Sequence, residues 1–111
     1  MSYDMSFKGS FDFPTHQDAI AAVDAFIHSE CIEESVVQPE DLHVNDRTVR
    51  LDVDASAPAT WWESTCASLA TLSEHAVDGL VEAVYDDGDG PDALYRVRLL
   101  PGGEEEELDD A

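Results

Sequence analysis

Basic residues are almost missing from this 111-residue chain, which has one lysine and four arginines. Against them stand 26 acidic residues, so the formal net charge is −21 with histidine neutral. That balance argues against unassisted binding to nucleic acid or to an anionic membrane surface, because both would repel the chain. Long apolar runs are missing as well, and none approaches the roughly 18 residues that a membrane span needs. The opening Met-Ser-Tyr-Asp-Met-Ser offers neither a basic region nor an apolar one. The expectation is therefore a chain with no signal peptide, located in the cytoplasm. Catalytic signatures are also lacking: there is no G-x-S-x-G, no H-E-x-x-H and no phosphate-binding glycine loop. His16, His28, His43 and His75 are scattered. Carboxylates are so common that any two could be drawn as acid and base, so such a pair carries no information. No residue argues for an enzyme, and no cofactor or metal is expected.

What is there is enough for a fold. The mass of 12.1 kDa and the 43% hydrophobic content suit one compact domain, which at this size buries roughly 60–70% of the surface its unfolded chain exposes. Tyr3, Met5, Phe7, Phe11 and Phe13 alternate with Asp4, Ser6, Lys8, Ser10 and Asp12, the period of a half-buried strand, with Gly9 marking a bend or bulge. Thr15 with Asp18 predicts a helix start after Pro14. Ile20, Val23, Ile27 and Cys31 form an apolar row, flanked by Ala19, Ala22 and Phe26, in a helix expected to reach residue 33. A hairpin follows around Asn45-Asp46, with Leu42 opposite Val49 and Leu51, Val53 and Ala55 continuing the strand. Thr60-Trp61-Trp62-Glu63 reads as a capping box, and Trp62, Cys66, Leu69, Leu72 and Ala76 as the apolar stripe of a second helix that Gly79 ends. Residues 80–86 and 93–100 are two further strands around an Asp- and Gly-rich turn. Pro101-Gly102-Gly103 breaks the pattern, leaving residues 1–101 as a single α+β domain and 102–111 as an acidic, disordered tail.

The order β-α-β-β-α-β plus one extra C-terminal strand resembles the ferredoxin-like split βαβ plan. That plan places two helices on one face of an antiparallel or mixed sheet. The resemblance lies in element order alone and implies no activity.

Charge is unevenly laid out. Lys8, Arg50, Arg96 and Arg98 fall at outward strand positions and Arg47 beside a turn, whereas neither helix has a basic residue. On the sheet, Arg50, Arg96 and Arg98 are expected to meet Asp52, Asp54 and Glu82 across strands. The helical surface is left uncompensated. Such a face suits docking on a basic protein, as an inhibitor, an immunity-type protein or a regulatory partner would dock, and it can imitate the phosphate spacing of nucleic acid. The residues singled out for this role are Asp24, Glu33, Glu34, Glu63 and Glu74, with Trp61 on the helix flank as an anchor. Packing over the strand edge is the commoner outcome for such a tryptophan. The alternative is a salt-adapted (halophilic) small-ligand sensor or housekeeping domain, which could be dimeric through its open sheet face. Its acidity would be solvation, tolerated at molar salt, where the Debye length is about 3 Å.

Three metal or redox readings carry less. Cys31 and Cys66 both fall on core-facing rows and are expected as buried reduced thiols. His28 with Cys31, Cys66 and His75 matches no zinc spacing. The turn at Asp86–Asp92 fails the EF-hand pattern and is explained by turn chemistry.

Overall fold

The computed structural model describes residues 3–30, 32–86 and 94–108. The fold is α+β, with two helices and a six-stranded antiparallel sheet. In chain order the elements are β1 (Tyr3–Asp12), α1 (His16–Ile27), β2 (His43–Asn45), β3 (Thr48–Ala57), α2 (Thr60–Ser73), β4 (Asp78–Asp86), β5 (Leu94–Leu100) and β6 (Glu104–Leu108). Short 3-10 turns at Ile32–Glu34, Pro39–Asp41 and Pro101–Gly103 link them. The strands lie in the order β2-β3-β1-β4-β5-β6.

Strand β1 carries the alternation that the sequence shows: Met5, Phe7 and Phe11 are buried, while Asp4 and Lys8 are exposed. Its buried face meets Leu51 and Val53 of β3, Val81 and Ala83 of β4, and Val97 and Leu99 of β5 in one core. Ala19, Ala22 and Phe26 from α1 and Cys66, Leu69 and Leu72 from α2 close that core. The opposite sheet face is open. Trp62 is half-buried, with its ring 5.4 Å from Phe7 and 5.5 Å from Tyr85, so aromatic contacts pin the start of α2 to the sheet.

Several local expectations are corrected. No bulge occurs at Gly9, whose pairing runs unbroken from Leu51 on one side to Val81 on the other. Glycine is required there for close approach. At φ 146° a Cβ would fall on the Leu80 carbonyl oxygen and lie 2.9 Å from the Val81 Cα. Gly79, expected to stop α2, instead lies in β4 at φ 99°, where a Cβ would strike the Ser10 carbonyl oxygen. The helix ends earlier, at Ser73.

Helix α1 also ends early, at Ile27. The His28 ring Nδ1 lies 2.8 Å from the Asp24 carbonyl, and the Ser29 hydroxyl donates to the Phe26 carbonyl at 2.7 Å. The His28 amide still donates to the Asp24 carbonyl at 3.2 Å, and the Ser29 amide tightens onto the Phe26 carbonyl at 3.1 Å, a three-residue closure typical of a helix end. Its buried line is Ala19, Ala22 and Phe26, while Ile20 and Ile27 are 48% and 41% exposed. Of the row expected inside, Ile20 and Ile27 therefore face out, Val23 packs against the core, and Cys31 lies outside the described residues. Thr15 does cap the helix, its hydroxyl oxygen accepting from the Asp18 amide at 3.1 Å. The Thr60 capping box does not form, because Ala59 is the N-cap and Thr60 is already helical.

In the hairpin, Val44 rather than Leu42 lies opposite Val49, and Asp46 takes the left-handed conformation at φ 56°. The shift is two residues in pairing, so every side chain keeps its face. The acidic stretch expected as a tail is strand β6 over Glu104–Leu108, since Pro101-Gly102-Gly103 turns the chain back on β5. Residues 109–111 lie outside the described residues, as do Cys31 and residues 87–93.

Replacing Gly9 or Gly79 with alanine is expected to cost roughly 3 kcal/mol or more, because backbone must move to admit the methyl group. Gly102→Ala, with nothing within 4 Å, should cost only about 1–2 kcal/mol for its positive φ. Thermal or urea unfolding of the three variants checks the ranking.

Candidate functional site

The charge layout separates the two faces of the molecule. Across the open sheet face, residues at one level read Asp52, Lys8, Glu82, Arg98 and Glu106 on β3, β1, β4, β5 and β6. Charge alternates at every step of that row, the favourable arrangement for cross-strand neighbours. Lys8 Nζ lies 3.3 Å from Asp54 and 3.8 Å from Asp52, all three side chains being largely exposed. Among the described residues Arg50, Arg96 and Arg98 form no ion pair within 4.0 Å, and two of their expected partners, Asp52 and Asp54, are met by the lysine instead. Exposed pairs of this kind contribute about 0–1 kcal/mol each. Their importance is in placement: the scarce cations are spent on the sheet.

The helical layer receives none. Asp24, Glu30, Glu33, Glu34, Glu63 and Glu74 are exposed, and among the described residues none lies within 4.0 Å of a lysine or arginine. The ion-pair geometry on this layer is Asp24 with His28 at 3.6 Å, one turn apart on α1.

The six residues singled out from sequence do not converge on one point. Glu33 and Glu34 sit on the 3-10 turn after α1 rather than on the helix itself. That turn lies beside the first half of α2: the Val36 amide donates to the Thr65 hydroxyl at 3.0 Å, and the Ser64 hydroxyl donates to Glu34 Oε2 at 3.4 Å. Trp61 belongs to the same region. It is half-buried against the core, and its carbonyl accepts from the Thr65 hydroxyl at 2.6 Å. Thr65 and Ser68, four and seven residues after Trp61 on α2, are fully buried. Their hydroxyls are satisfied by Trp61 and Ser29, so α2 turns a partly polar stripe inward without leaving a buried polar group unpaired. Glu63 follows on the next step of α2. Asp24 stands apart on α1, and Glu74 lies just beyond the far end of α2.

Two residues that sequence reasoning missed join Glu63. Glu105 and Glu107 pair with Leu99 and Val97, which are buried, so both glutamates stand on the helix-covered side of the sheet. With Trp62, Cys66 and Ala70 they line an open groove of about 380 Å³ between α2 and β6. No periodicity could disclose them, since four consecutive glutamates look the same on either face. A separate groove of about 600 Å³ opens on the sheet face near Asp4, Ser6, Asp54 and Ser56.

Burial of Cys66, with the Glu105 and Glu63 carboxylates adding to it, pushes its thiol from 9.0 up to about 12. Cys66 is a free, buried thiol, whereas Cys31 lies outside the described residues. Among the described residues no group of three or more His, Cys, Asp and Glu side chains could hold a metal ion. No helix there is long and apolar enough to cross a membrane.

The thiol gives a direct check on the groove. In a Cys31→Ser variant, Cys66 should react with iodoacetamide at pH 8 roughly a thousandfold more slowly in the folded than in the unfolded protein, as three pKa units imply. Because the folded thiol keeps its proton where the unfolded one loses it, its effect on stability is nil below about pH 9. Stability then falls as pH rises from 9 towards 12. Reaction at equal rates would place Cys66 in solvent.

No protein-family model matches the chain, and no curated protein or solved structure matches it significantly.

Proposed function

We propose that this chain is a small acidic interaction protein, without catalytic activity of its own, that docks its helical layer on a basic protein surface as an inhibitor, immunity-type or regulatory partner would. The supporting observation is the segregation of charge, with cations kept to the sheet and its turn while the helices and their connecting turns carry acids alone. A field of one sign over one side raises the rate of encounter with a basic partner and disfavours wrong ones. Asp24, Glu33, Glu34, Glu63 and Glu74 supply that field, and half-buried Trp61 supplies an apolar anchor. The exposed Ile20 and Ile27 on α1 add apolar area beside Asp24. The expected setting is the cytoplasm. The scaffold is read as ferredoxin-like, with β5 and β6 extending the sheet beyond a four-strand unit of order β2-β3-β1-β4.

A second reading, salt adaptation, is favoured by one specific feature. Asp12 lies directly opposite Asp78 on β1 and β4, and Asp4 directly opposite Asp86. Like charges facing each other across strands are unfavourable and are relieved by salt. On this reading the acidity serves solvation in a sensor or housekeeping domain, which could pair through its open sheet face.

The two readings part under mutation. A variant carrying Asp24→Asn, Glu33→Gln and Glu34→Gln should lose cross-linked basic partners from a cytoplasmic extract, and most strongly at low salt. A control with the same change in charge on the sheet, Asp52→Asn, Asp54→Asn and Glu82→Gln, should keep them. Equal capture by both variants would remove the helical layer as the interface.

A further inference from the structure

We propose that the outer edge of β6 accepts an extended lysine- or arginine-rich segment of a partner protein as a seventh strand of the sheet. This rests on the reading of the chain as a binder of basic proteins, and it names the kind of segment bound. Strand β6 closes the order β2-β3-β1-β4-β5-β6, paired with β5 on one side only. Along its other side alternate backbone N–H and C=O groups point outward, and among the described residues they meet no backbone partner. Its five residues, Glu104–Leu108, span about 17 Å, a common strand length and enough for main-chain recognition.

The two edges of the sheet are guarded differently. Strand β2 is short, with three residues, and turns at once into β3. Strand β6 contains no proline, and its pairing with β5 runs unbroken from Leu108 to Glu104. Its protection is charge alone, and charge protects selectively. Glutamate is disfavoured in strands, so four in succession run against local preference, a conflict that natural sequences retain mainly at functional positions.

The same four residues specify what the edge would take. Glu104 and Glu106 share the open face with Arg98, whereas Glu105 and Glu107 share the helix-covered face with Leu99 and Val97. An incoming strand therefore meets carboxylates on both faces, in either register. A second copy of β6 would set glutamate against glutamate, which excludes self-pairing as the favoured use. A strand bearing Lys or Arg satisfies both faces. On the helix side Glu105 and Glu107 of this strand line the groove of about 380 Å³ together with Glu63 and Trp62, so a basic side chain entering it meets three carboxylates and an aromatic residue.

The test uses the full chain and a blocked nine-residue peptide of alternating arginine and valine, titrated calorimetrically at about 50 mM KCl to limit screening. A second peptide is identical except for N-methyl groups on alternate amides, which keep the charge and abolish strand pairing. The unmodified peptide should bind at least about tenfold tighter, and amide exchange at residues 104–108 should slow when it is present. Equal affinity of the two peptides, with exchange at 104–108 unchanged, would overturn the edge proposal while leaving electrostatic docking on basic partners intact. Failure of both peptides to bind would also overturn it, and the helical-layer variants would still report independently on a folded basic partner.

Discussion

Pairing of β1 along its whole length, with β3 on one side and β4 on the other, is the interaction on which the rest of the structure depends. It sets Phe7 and Phe11 against both helices and, by the same alternation, sets Lys8 on the open face between Asp52 and Glu82. The backbones of β1 and β4 come so close at Gly9 and Gly79 that neither position has room for a methyl group. A strand held this tightly fixes the register of everything beyond it. Through β4 the pairing continues to β5 and β6, so Glu105 and Glu107 are aligned with Gly9 and Phe7 across three successive strand pairings.

The same constraint decides where the few cations can act. Strand alternation places Lys8, Arg50, Arg96 and Arg98 on the open face, where Lys8 and Arg98 each stand between acids of the adjacent strands. Helical periodicity offers no such opportunity, because neither α1 nor α2 contains a lysine or arginine. The outcome is a sheet face of mixed sign and a helical layer of one sign. This arises from residue placement alone, before any partner is considered.

Much of the fold was legible because strand alternation is a strong local signal. The aromatic odd positions of β1, the inward Val97 and Leu99 of β5, and the α2 stripe of Cys66, Leu69 and Leu72 all read directly from the chain. Where reading failed, a tertiary or side-chain effect prevailed over the pattern. Small Ala19 and Ala22, not Ile20 and Ile27, face the core because close packing favours them there. Helix α1 closes at His28 and Ser29, before the acids that follow, so Glu33 and Glu34 lie on a separate turn beside α2. Gly102 and Gly103 form a hairpin connection rather than a terminus, so the acids after them became a strand. The candidate surface was therefore legible in its sign but not in its geometry, since carboxylate identity says nothing about which turn or edge carries it.

The central claim is that the helical acids form an exposed surface which the fold tolerates without screening. Thermal unfolding followed by circular dichroism, from near-zero to several molar KCl, tests it most directly. The account predicts a cooperative transition and a folded monomer already at the lowest salt, with only gradual stabilisation as repulsion is screened. A chain that is unfolded at low salt and acquires structure only at molar KCl would contradict it, assigning the acidity to a saline environment rather than to a partner.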